Sequence, residues 1–127
     1  MSTRAPADLL RHRGPALVVD AIDGFDGATL RCRAGAARRT WPTLLEGAAQ
    51  AAGLAAGLRP GGLSRHALVA EYRDVRVHAA AHAGPLRFAA RLERRVLHFW
   101  RCRVQVRDEA GALLLRGAVT LAPEPPA

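Results

Sequence analysis

Residues 44–58 constrain this chain more than any other stretch, because the helix they would form is apolar around its whole circumference, with Glu46 and Gln50 as its only strongly polar side chains. A helix with one polar side lies on a surface, whereas a helix apolar on every side has to be enclosed. Pro42 suits the first turn, where a missing N–H costs nothing. Arg59-Pro60-Gly61-Gly62 supplies the breakers that end the helix. The helix is therefore expected over about 42–58, and the rest of the chain has to wrap it.

The wrapping reads as β-structure. Residues 16–22 are a β-rich run that stops at the turn signal Asp23-Gly24-Phe25-Asp26-Gly27. Residues 28–34 alternate Leu30 and Cys32 against Thr29, Arg31 and Arg33, the period of a half-buried strand. Residues 35–40 are small and basic and read as a loop, and 7–12 have the composition of a short helix. Beyond the central helix, strands are expected over 67–77, 86–96, 101–107 and 113–121, with a turn at Asp108-Glu109-Ala110-Gly111. Two strands, one buried helix and about four more strands make an α+β fold. Its curved antiparallel sheet encloses the helix, with a second subunit completing the cover.

At 127 residues the chain has the length of one domain. It is expected to comprise a flexible N-terminus (1–8), a single domain (9–122) and a disordered Pro-rich tail (123–127). No run reaches the roughly 18 to 20 apolar residues of a membrane span. The N-terminus has no apolar secretory core, so the expected location is cytoplasmic.

Lys and Arg total 19, all of them arginine, against 11 acids, for a formal net charge of +8. The arginines are scattered along the chain and aromatics are few, which argues against a nucleic-acid stacking platform. The charge suits an acidic protein partner or a phosphate-bearing carrier equally well. Cys32 and Cys102 lack metal-ligand spacing and read as small buried hydrophobes. No metal triad is apparent.

Two strings are specific enough to carry a resemblance. Leu9-Leu10-Arg11-His12-Arg13-Gly14-Pro15-Ala16-Leu17-Val18-Val19-Asp20 resembles L-L-P-H-R-x-P-x-L-L-V-D, the opening segment of the FabA/FabZ β-hydroxyacyl-acyl carrier protein dehydratases. Glu46-Gly47-Ala48-Ala49-Gln50-Ala51-Ala52-Gly53 resembles that family's central-helix string E-A-x-A-Q-A-A-G. Similarity continues through residues 72–86, where Ala83-Gly84-Pro85 stands for the family's P-G-D-type turn.

The resemblance implies a hot-dog fold, a dimer, and an acyl chain threaded beside the central helix. The implied reaction removes water from a 3-hydroxyacyl thioester, as in fatty acid or polyketide-type biosynthesis. The family's site is composite, with an acid from one protomer's helix and a histidine from the other protomer. The acid carries over to Glu46. The histidine does not, because the segment from Cys32 to Leu45 contains none and has Arg38-Arg39-Thr40-Trp41-Pro42 where the family has a G-H-F-P-G-type loop.

Glu46 is thus the expected catalytic residue, since a carboxylate in an apolar helix is costly to bury and suited to acid–base work. Gln50, one turn on, lies on the same face; it either orients that carboxylate or bonds a neighbouring strand. Backbone N–H groups around Trp41 and Thr43 are placed to polarise a thioester carbonyl. Gln50, Trp41 and Thr43 are accordingly read as substrate-binding. His12, His66, His78, His82 and His98 read as surface or strand residues, and no spacing singles one out to replace the missing histidine.

No cofactor of the protein's own is implied, since phosphopantetheine would arrive with the acyl-carrier or CoA substrate. The implied partners are an acyl carrier protein or CoA thioester and a second hot-dog subunit, identical or not. Nucleic acid is not implied. The arrangement also fits a hot-dog thioesterase using Glu46 alone, or a non-catalytic acyl-binding or scaffold subunit.

Overall fold

A computed structural model describes residues 17–59 and 67–123. The strands are β1 (Ala21–Phe25), β2 (Thr29–Ala34), β3 (Arg39–Thr40), β4 (Ala67–Val77), β5 (Ala81–His82), β6 (Leu86–Val96), β7 (Phe99–Asp108) and β8 (Leu113–Pro123). One helix, α1 (Trp41–Leu58), lies between β3 and β4. Six strands form one antiparallel sheet in the order β1-β2-β6-β7-β8-β4, and β3 pairs with β5 in a second, two-stranded sheet. This is the expected α+β hot-dog architecture, a curved sheet wrapped on a central helix.

The alternation seen in the sequence decides which side of the sheet meets the helix. Leu30 and Cys32 of β2, Phe88 and Ala90 of β6, and Val104 and Val106 of β7 are buried and stand level across the ladder. Against them pack Leu44, Ala48, Ala51, Leu54 and Ala55 of α1. The small residues of α1 let the sheet come close. A Cβ on Gly47 would lie 2.7 Å from the Phe88 ring, so the ring occupies the space a side chain would need.

The structure departs from the sequence reading in four places. The first strand is Ala21–Phe25, not 16–22. Val18 and Val19 give their N–H groups to the side chain of Gln50. The turn moves forward because the Asp26 carboxylate accepts from Ala28 and Thr29 at 2.9 and 2.7 Å, with Gly27 at φ 96. Second, residues 35–40 are not all loop, since Arg39 and Thr40 pair with His82 and Ala81.

Third, β8 runs to Pro123, one residue into the expected tail, because that residue pairs with Ala67. Fourth, the Trp41 N–H donates to the Ala80 carbonyl at 2.8 Å and so is committed to the fold. The expected short helix at 7–12, the opening string up to Ala16, His12, His66, the breakers Pro60-Gly61-Gly62 and tail residues 124–127 lie outside the described residues.

β4 is the edge of the large sheet beyond β8. Its register slips between Arg73 and Arg76, where Asp74 takes a positive φ of 55. Gly117 makes this bulge possible, because a Cβ there would sit 3.3 Å from the Val75 Cα and 3.4 Å from the Arg73 carbonyl. No helix among the described residues is long and apolar enough to cross a membrane.

Candidate active site

The helix is not enclosed on every side. Along one helical stripe Pro42 is exposed and Glu46, Gly53 and Gly57 are half-buried, interrupted by buried Ala49 and Gln50, while Ala48, Ala51, Ala52 and Ala55 on the other sides are fully covered. Glu46 is the only charged residue of α1 and stands on that stripe. The one carboxylate of the helix is therefore left partly accessible rather than sealed in the core.

The sequence reading missed Tyr72. It pairs with Val119, a core residue, so Tyr72 belongs to the helix-facing side of the edge strand β4. No strand covers it, and 39% of it remains exposed. Partial burial raises the phenol above its ordinary range, and the Glu46 carboxylate raises it further. Tyr72 thus stays protonated at neutral pH, a donor within the field of Glu46. The irregular register of β4 hides this in the sequence, where simple alternation cannot say which side Tyr72 takes.

Gln50 is buried, with 1% exposed. Its Oε1 accepts from the N–H of Val18 at 2.8 Å and of Val19 at 3.2 Å. The amide oxygen therefore ties residues 18–19, which precede β1, to the helix one turn beyond Glu46. At the helix start Trp41 is 42% exposed and Thr43 half-buried. Thr40, at the N-cap, makes no side-chain capping hydrogen bond, so the first-turn N–H groups of Thr43 and Leu44 are not capped by it.

His82 is half-buried in β5 opposite Arg39, whereas His78 and His98 are exposed. No group of three or more metal-ligating side chains exists among the described residues. Cys32 and Cys102 are free and buried, as expected. Burial pushes both thiols up, that of Cys102 to about 12, so neither is a nucleophile at neutral pH.

No family model matches this sequence, and no curated protein matches it. Among solved structures the chain is similar to the dehydratase heterocomplex ApeI:P from Xenorhabdus doucetiae (14% identity, TM-score 0.83, covering 98% of this chain and 93% of that one). It is also similar to a mutant thioesterase from Pseudomonas aeruginosa (12% identity, TM-score 0.68, 82% and 79% covered). A third is a hypothetical thioesterase from Streptococcus pneumoniae with coenzyme A (10% identity, TM-score 0.66, 80% and 83% covered). At these identities the likeness shows the hot-dog fold.

Proposed function

We propose that this chain is one subunit of a heteromeric dehydratase acting on 3-hydroxyacyl thioesters, with Glu46 as its contribution to the chemistry. The observation that carries this reading is the position of Glu46, the one charged group of α1, on the open stripe of the helix and in electrostatic reach of Tyr72. The two dehydratase-like strings and the likeness to a dehydratase heterocomplex support it.

Elimination of water needs one proton taken from the carbon next to the thioester carbonyl and one delivered to the departing hydroxyl. The products are an enoyl thioester and water. A carboxyl and one further acid–base group can divide those transfers. The segment from Cys32 to Leu45 holds no histidine, so the second group comes from a non-identical hot-dog subunit.

The open edge of β4, eleven residues long with Val69, Tyr72 and Val77 exposed, is where that subunit joins. The N–H of Thr43, left uncapped by Thr40, polarises the thioester carbonyl at the helix start, and Gln50 holds residues 18–19 against the helix beside Glu46. The acyl group arrives on an acyl carrier protein or on CoA, whose phosphopantetheine arm reaches the site, so the protein needs no cofactor of its own.

The test is reconstitution. The purified chain alone should not dehydrate 3-hydroxyacyl thioesters. Activity should appear on mixing with a hot-dog subunit that carries the loop histidine, and Glu46→Gln should abolish it in the mixture. Turnover by the lone chain that survives Glu46→Ala would refute the reading.

A second reading, thioester hydrolysis with Glu46 as nucleophile or general base, is favoured by the absence of a loop histidine and by the thioesterase folds it resembles. It predicts release of free thiol from acyl-CoA by the lone chain, lost in Glu46→Gln.

A further inference from the structure

The outer face of the sheet, turned away from α1, has no part in the site above, and its side chains are mainly arginine. Antiparallel register places Arg33, Arg87 and Arg107 abreast on β2, β6 and β7. It also sets Arg91 beside Arg103 and Arg76 beside Arg116. Like charges directly opposite on one sheet face repel, with Cβ atoms only about 5 Å apart.

Few of these charges are neutralised within the chain. Asp23 holds Arg33 at 2.8 Å, and Glu93 serves both Arg101 and Arg103. Among the described residues Arg31, Arg87 and Arg91 form no salt bridge.

The array is not flat. Ala89 and Gln105 pair with each other at its centre and are shorter than the arginines around them. Above them lies a hollow of about 510 Å³, whose lining includes four arginines (Arg31, Arg33, Arg87 and Arg107), Pro85 and the two carboxylates Asp23 and Glu109. Arg107 is held in place there by the Gly111 carbonyl at 2.9 Å and Gln105 Oε1 at 3.4 Å.

We propose that this hollow binds a compact organic polyanion, a small molecule carrying a di- or triphosphate. Guanidinium forks match phosphate oxygens in pairs, and a multivalent anion relieves the repulsion along the Arg33–Arg87–Arg107 row. The volume falls within the roughly 300–1,000 Å³ of small-ligand pockets. Ala89 and Pro85 give an organic moiety apolar ground, and Asp23 and Glu109 can accept from its hydroxyl or amino groups.

The same features disfavour nucleic acid. The one aromatic in the lining, Phe88, is a buried core residue and offers no stacking surface. A six-stranded face is too broad for a groove that admits a helix or a two-stranded ribbon. The sheet itself separates the hollow from Glu46, so this inference stands or falls independently of the dehydratase reading.

The experiment is calorimetric titration of the full chain with sodium tripolyphosphate at low ionic strength. The expected result is saturable binding at one site that weakens as NaCl is raised. Affinity should fall at least about tenfold in Arg31→Ala/Arg87→Ala, and Arg87→Gln alone serves if the double variant fails to fold. Arg94→Ala should leave affinity unchanged, since Arg94 lies about 23 Å along β6 from Arg87 at 3.3 Å per residue. No binding, equal loss in the Arg94 variant, or capture of polyglutamate or a DNA duplex by these arginines without binding of tripolyphosphate would each overturn the proposal.

Discussion

Replacing Gln50 by leucine, one heavy atom shorter but apolar and bulky enough to hold much of the packing, removes the acceptor of two backbone N–H groups. Those donors belong to Val18 and Val19, which are 6% and 0% exposed, so water cannot take over. An orphaned buried donor costs about 1–3 kcal/mol. The shorter bond, 2.8 Å to Val18, should sit in the middle of that range and the 3.2 Å bond to Val19 at its lower end. Together they make about 3 kcal/mol, reduced by about 0.5–1 kcal/mol because leucine is cheaper to bury than an amide.

The expected loss for Gln50→Leu is therefore about 2–2.5 kcal/mol, or roughly 6–10 °C in Tm for a chain of this size. Gln50→Ala, which adds a cavity, should lose more. Urea unfolding at fixed protein concentration, followed through buried Trp100, measures both. A Gln50→Leu variant within about 0.5 kcal/mol of the parent would refute the assignment of these bonds as structural and return Gln50 to a role in contacting substrate.

The other expectations are equally direct. Tyr72 is the only tyrosine in the chain, so its ionisation is readable at 295 nm; Glu46→Gln should lower its pKa by removing a neighbouring negative charge, and no change would separate the two residues. The buried thiols of Cys32 and Cys102 hold their protons more tightly folded than unfolded. Unfolding stability should therefore be full below about pH 9 and decline as pH rises towards 12. That decline should shrink in Cys32→Ala/Cys102→Ala relative to that variant's own value at pH 7, and the native thiols should not react with Ellman's reagent. Gly47→Ala drives a methyl into the Phe88 ring, at 2.7 Å, and should cost about 1–3 kcal/mol, with Phe88→Leu in the same chain recovering part of it.

The string around Glu46 shows how far local pattern reaches. The dehydratase-like string has alanine where this chain has Gly47, and nothing nearby in sequence explains the change. The reason is Phe88, forty-one residues on, whose ring fills the position of the missing methyl. The displaced first strand has a similar origin. Residues 16–22 do have β composition, but Val18 and Val19 find a better partner in Gln50 than in a neighbouring strand, a competition visible only once the helix is docked.

By itself the sequence determined what local periodicity can determine: a largely buried helix from a nearly all-apolar circumference, long strands from β-rich and alternating runs, and one carboxylate that stands out because every neighbour is apolar. Strands β4 and β6 fall where the β-rich runs put them, at Ala67–Val77 and Leu86–Val96. Tertiary structure decided the company each residue keeps. Sheet order and register placed Tyr72 near Glu46, paired Arg39 with His82, and lined arginines from β2, β6 and β7 around one hollow. Those neighbours are tens of residues apart along the chain. A single bulge, such as the one at Asp74, changes which side of a strand a residue faces, so no local pattern encodes them.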